Sequence, residues 1–236
     1  MLLKLFLYKL FLSGKMDYIL LDIDDTSVPF MPVLLKFHNE IYRIPQNLPP
    51  QTIDDVTEFS LAEVWGVSKH EAVKRVHHFY QTEEFANLVP TEDAIKGIAQ
   101  LAKDYILIVA TSRPFNSYHA GIQNNVRNIT YRQYMKFFGD YIKDDHIYMT
   151  NEYKLDDTPS SSKLAVANLH DAFLIVDDSI HNVAEFVQED GKWAILYQQP
   201  WNFKEVLPNR VKHCRTWTNP LGVVETVKHI DRIRKL

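Results

Sequence analysis

Four short apolar runs, each broken off by a polar cluster, limit the folds open to this chain. Residues 18–21 run into DIDDT, 105–110 into TSRP, 172–176 into DDSIHN, and 193–197 into QQPWN. Runs without polar alternation are strands buried on both faces, as in a parallel sheet covered by helices. The polar clusters then gather along the sheet's carboxyl edge, where open α/β sheets bind their ligands. The expected fold is therefore α/β, a Rossmann-like parallel sheet sandwiched by helices.

Helix signals fill the intervals. Ser68-Lys69-His70-Glu71 and Ser60-Leu61-Ala62-Glu63 both read as capping boxes, the first leading into Val73, Val76 and Phe79 at helical spacing. Thr91, with Glu92 and Asp93, opens a helix whose apolar stripe is Ile95, Ile98 and Leu101. Asn219-Pro220 opens the last one, with Val223, Val227 and Ile230 on one face. From Val28 to Ile98 there is little strand pattern, and that stretch far exceeds the roughly dozen residues a crossover requires. We read residues 28–98 as an α-helical cap inserted after the first strand, with 16–27 and 99–236 forming the core.

A chain of 236 residues has room for a core domain and such an insertion. A net charge of −4 supplies no broad cationic field, so stable nucleic-acid binding is not expected. The single cysteine, Cys214, rules out an internal disulfide and a cysteine-rich zinc site, and suits a reducing cytoplasm. Residues 1–15, MLLKLFLYKLFLSGK, are too short for a membrane-spanning helix. Three readings stay open for them: a non-native or upstream-start extension, an amphipathic tether, and a secretory signal. The fold is read from Met16. The sequence does not set the oligomeric state, and a homodimer is compatible with it.

The first strand end carries the chemistry. Asp22 and Asp24, two residues apart on an extended chain, point to one side. Paired carboxylates facing a pocket suit Mg²⁺, which binds one or two carboxylates together with waters and a substrate phosphate. Asp177 and Asp178, ending another buried run, are placed to complete the shell. Thr111 and Ser112 offer hydroxyls and backbone N–H groups to a phosphate where a helix is expected to begin. Lys163 would offset the negative charge, with Lys154 as the competing candidate.

These segments resemble the haloacid dehalogenase-like phosphohydrolases. DIDDT is similar to that family's DxDxT motif, ILIVATS to its second, Lys163 to its third, and FLIVDDSIHN to its fourth, in order over residues 16–183. The resemblance implies that Asp22 is the nucleophile, forming an aspartyl-phosphate, and that Asp24 is the general acid and base. It implies Mg²⁺ on the Asp22 carboxylate, the Asp24 backbone carbonyl and Asp177; Asp178 is either support for Asp177 or a helix cap. An acid at Asp24 implies a phosphatase rather than an ATPase or dehalogenase.

A narrower resemblance, to the 5′(3′)-deoxyribonucleotidases, extends nearly to the C-terminus through MKFFGDYIKDDHIYMTN, LYQQPWN and RTWTNPLGVVETV. It implies a phosphomonoester substrate, a nucleotide, with Phe30 stacking on the base; Ser112 is read as a substrate contact from its place at the strand end, and Arg113 either contacts the phosphate or faces solvent. The chain departs from that family in carrying Asp25 where Gly is usual and no Arg after the two acids of motif four. Other phosphomonoesters, such as a polynucleotide 3′-phosphate or a sugar phosphate, are the alternative substrates. A non-catalytic module on the same scaffold is the remaining reading.

Overall fold

The computed structural model describes residues 16–114, 125–152 and 161–236. Its sheet has six strands, all parallel: β1 (Tyr18–Leu21), β2 (Ile106–Thr111), β3 (Ile147–Met149), β4 (Leu174–Asp177), β5 (Trp193–Tyr197) and β6 (Val211–Cys214). Their order across the sheet is β3-β2-β1-β4-β5-β6. The chain steps outward from β1 to β3, then returns to β4 on the other side of β1. That reversal opens a crevice at the carboxyl ends of β1 and β4.

The absence of alternation in the strands has a direct cause. Ile19, Leu21, Leu107, Val109, Leu174 and Val176 face one core layer, and Leu20, Ile108, Ala110 and Ile175 face another. Both faces are covered, so successive residues all bury apolar surface. The four runs seen in the sequence all form strands. The ladder of β2 and β4 carries one residue further than their apolar stretches, so Thr111 and Asp177 are themselves the last paired residues. The edge strands β3 and β6 were not expected. β3 is apolar but only three residues long, and β6 alternates, with Lys212 exposed between buried Val211 and Cys214 at its ends, so neither stands out as a long apolar run.

Nine α-helices accompany the sheet among the described residues: α1 (Phe30–His38), α2 (Leu61–Trp65), α3 (Lys69–Phe79), α4 (Glu83–Ala86), α5 (Glu92–Leu101), α6 (Asn125–Phe138), α7 (Lys163–His170), α8 (Ile180–Phe186) and α9 (Val223–Arg234). The Ser68 hydroxyl caps α3 by accepting from Glu71 N at 3.2 Å. Ser60 makes no such bond to α2, so the second capping box is not realised. Phe30, Phe37 and Phe85 surround Phe79, with ring centroids 5.4–5.9 Å away, and join α1, α3 and α4 into one apolar body.

Helix α5 begins at Thr91, whose side chain accepts from Ala94 N, and it lies against α6 and α9. The closing helix starts at Val223, later than Asn219-Pro220 suggested. Gly222 N donates to Asn219 O at 2.7 Å, closing a tight turn before the first helical residue. Asp93 accepts from Trp217 N at 2.6 Å, and the Trp217 indole donates to Thr26 O at 3.0 Å. These bonds tie α5, the C-terminal segment and the turn after β1 together, fixing the base of the crevice.

Candidate active site

Asp22 continues the β1 ladder: its N–H donates to Val176 O at 2.9 Å. The chain then turns, with Ser27 and Val28 donating to Ile23 O, and this projects Asp24 and Asp25 over the sheet edge. Lys163, the first residue of α7, reaches in from beneath. Its ammonium lies 2.8 Å from Asp22 Oδ1 and 2.8 Å from Asp177 Oδ2. The helix is held in place by Ser162, whose hydroxyl accepts from Ala165 N. Lys154, the rival candidate, lies outside the described residues.

Asp177 is fully buried and both its oxygens are taken up. Oδ1 accepts from Ser179 N at 2.9 Å and Asn182 Nδ2 at 3.1 Å; Oδ2 accepts from Lys163 and, at 3.2 Å, from Asn182. Asp178 lines the cavity described below, and its carboxylate receives one hydrogen bond, from Trp201 Nε1 at 3.1 Å. Carboxylate oxygens of Asp22, Asp177 and Asp178 lie within 4.8 Å of one another. One ammonium cannot neutralise three carboxylates. A buried set of hard oxygen donors with excess negative charge fits a small divalent cation such as Mg²⁺.

The electrostatics carry the same imbalance. Burial pushes the Asp22 carboxyl up to about 7; Lys163 works against that rise, and Asp177 and Asp24 add to it. Asp178 is raised well above the ordinary range, by burial first and then by the charges of Asp22, Asp177 and Asp25. For Lys163 burial acts downward, but Asp177 and Asp22 more than offset it and the ammonium is held charged.

Above these groups lies a cavity of about 640 Å³. Asp22, Asp24, Asp177, Asp178, Thr111 and Lys163 floor it, while Phe30, Met31, Phe59, Val73, Val76 and Tyr80 form its opposite wall. The sequence-derived residues therefore largely meet in one place. Phe30 sits in the wall with its ring braced by Phe79 and Tyr80. Ser112 lines the floor and donates its hydroxyl to Glu152 at 2.6 Å. Residues 112–114 are not helical, and α6 is described only from Asn125, so no helix starts directly at Thr111.

Arg113 is placed differently from a phosphate contact. It is not among the lining residues; its guanidinium is buried and bonded to Asp24. Asn182, Trp201 and Asn202, which donates to Asp178 O at 2.7 Å, were not singled out from the sequence as site residues. The signal for Trp201 and Asn202 was the polar cluster QQPWN closing the fourth apolar run.

Solved structures place this fold among the haloacid dehalogenase-like hydrolases. A family IA, variant 3 hydrolase from Entamoeba histolytica aligns with a TM-score of 0.60 at 14% identity, covering 92% of this chain and 100% of its own. A predicted phosphatase from Clostridium acetobutylicum gives 0.59 at 13% identity, covering 94% and 100%. A haloacid dehalogenase-like hydrolase from Streptococcus pneumoniae gives 0.57 at 15% identity, covering 91% and 98%. The fold is thus that of the haloacid dehalogenase-like hydrolases. The model of the family described as 5′ nucleotidase, deoxy (pyrimidine), cytosolic type C, matches residues 16–221, and the chain belongs to that family. Among curated proteins none matches it. No described helix is long and apolar enough to cross a membrane.

Proposed function

We propose that this protein is a Mg²⁺-dependent phosphatase that hydrolyses nucleoside monophosphates, deoxyribonucleotides included, through a phosphorylated Asp22. The observation that carries this reading is the meeting of Asp22, Lys163, Asp177 and Asp178 beneath a cavity whose far wall is apolar and aromatic. The floor suits a phosphate and the wall suits a base. Phe30 is the residue we assign to stacking, a contact worth about 1–3 kcal/mol per base. The insertion 28–98 serves as the cap, and residues 30–80 supply its wall.

In this reading the Asp22 carboxylate attacks phosphorus, and the bond to the leaving oxygen breaks as Asp24 delivers a proton to it. A water then gives its proton to Asp24 and displaces Asp22, releasing phosphate. Lys163 holds Asp22 in line and stabilises negative charge on the transferring group. Mg²⁺ would be held by Asp22, the Asp24 backbone carbonyl and one of the two acids at the end of β4, Asp177 or the following Asp178, and would supply positive charge to the phosphoryl oxygens. Of the two acids we assign Asp178 to the ion and Asp177 to support, the reverse of the sequence expectation. The reason is that Asp177 has both oxygens bonded to protein donors, whereas Asp178 has one.

The test is phosphate release from deoxyribonucleoside and ribonucleoside monophosphates, sugar phosphates and 3′-phosphorylated oligonucleotides, with and without Mg²⁺. We expect the nucleoside monophosphates to be turned over fastest, and only with the ion. A best substrate lacking a base would sink the nucleotide assignment alone. Near-normal turnover by Asp22→Asn would sink the proposed chemistry. The family's description and the lone cysteine support a cytoplasmic site of action.

A further inference from the structure

Arg113 is about 1% exposed, and each of its three guanidinium nitrogens donates to a side chain. Nε donates to Asp24 Oδ2 at 2.9 Å and Nη2 to Asp24 Oδ1 at 2.6 Å. Nη1 donates to Thr130 Oγ1 at 2.9 Å and Gln133 Oε1 at 3.1 Å, both on α6. The Phe85 ring lies 4.9 Å from Cζ on one side. These partners are themselves anchored, Thr130 to Val126 O at 2.7 Å and Gln133 to Phe85 O at 2.5 Å. The guanidinium is clamped by α4 and α6, while the carboxylate it grips remains partly open to the cavity.

A two-point fork defines the plane of a carboxylate, which a single ammonium contact does not. We propose that Arg113 is a positioning residue: its clamped fork sets the orientation in which Asp24 meets the substrate's leaving oxygen. The proposal rests on the phosphatase reading above. When the phosphorus–oxygen bond breaks, its electron pair stays on the leaving oxygen and the proton passes to that oxygen from Asp24. In the second half of the cycle a proton of the attacking water returns to Asp24. A proton on one Asp24 oxygen opens one arm of the fork; the other arm keeps the carboxyl plane aligned. The demand for this transfer is large when the leaving group is an alkoxide and small when it is a nitrophenolate.

The experiment compares the full chain with Arg113→Lys and Arg113→Met, measuring kcat and KM with Mg²⁺ on p-nitrophenyl phosphate and on a nucleoside 5′-monophosphate. Arg113→Met should lower kcat/KM, which reports the step in which the leaving oxygen departs, at least ~10-fold more on the nucleotide than on the aryl ester, part of the ~10²–10⁴-fold a general acid contributes. KM should move little, and Arg113→Lys should fall between wild type and Arg113→Met. The ratio of the two kcat/KM values within one preparation does not depend on how much of the variant is folded. Equal losses on both esters, an unchanged ratio, or a gain in rate would overturn the assignment. A wild-type chain that hydrolyses neither ester would instead overturn the phosphatase reading, and the assignment with it.

Discussion

Asp25 stands in the left-handed region at φ +56°, which accounts for the glycine usual at this place in the relatives it resembles. Aspartate is among the few other residues that tolerate this region, and here its carboxylate accepts from Met31 N at 2.8 and 3.1 Å, holding the first turn of α1. Asp25→Ala should therefore lose about 1–2 kcal/mol in urea unfolding, from strain plus the lost cap. Asp25→Asn should lose less. His38 makes a separate prediction. It is stacked on Trp65 at 4.1 Å, its Nε2 accepts from Arg75 at 3.0 Å, and its Nδ1 is buried without a partner. Burial first, then Arg75 and Arg43, push its pKa from 6.5 to about 4. The unfolded chain then binds the extra proton between those values, so this residue's share of stability falls as pH drops from about 6.5 to about 4. His38→Gln should flatten that part of the Tm–pH curve.

At the scale of elements, α5 and the segment before α9 approach more closely than any side chain allows. A Cβ at Gly97 would stand 2.6 Å from Trp217 Cβ and 3.0 Å from its ring. Trp217 is fully buried and bonded to Thr26 O, so it cannot swing aside. Gly97→Ala should cost about 1–3 kcal/mol in thermal or urea melts, against the usual benefit of alanine in a helix. Nothing around Gly97 in the sequence announces this, because its partner is far along the chain. The capping residues Ser68 and Thr91, by contrast, were readable, since each acts on an N–H three residues away.

For the whole molecule, Asp177, which ends β4, and Asp178, which follows it, are expected to separate stability from the proposed ion binding. Asp177→Asn removes one of the two carboxylates facing buried Lys163, and it should lower stability by about 2 kcal/mol or more. Asp178→Asn leaves that ion pair intact. Wild-type Tm should rise as Mg²⁺ is added, as required of a ligand that binds only the folded state. Asp178→Asn should abolish the rise without comparable loss of stability. A preserved Mg²⁺ shift in Asp178→Asn, with loss in Asp177→Asn, would return the ion to Asp177.

The layered α/β architecture and the chemical types at the sheet edge were legible in the order of residues along the chain. Uninterrupted apolar runs, caps and strand ends are features of neighbouring residues, and Asp22, Thr111, Lys163, Asp177 and Asp178 could be picked out from them. How donors and oxygens pair emerged with the packed fold alone. Arg113 and Asp24 are 89 residues apart, and Trp201 and Asp178 are 23 apart. Such pairings depend on sub-ångström placement of elements packed from distant parts of the chain. No local periodicity encodes that placement, so an arginine beside a phosphate motif could as well have met phosphate as carboxylate.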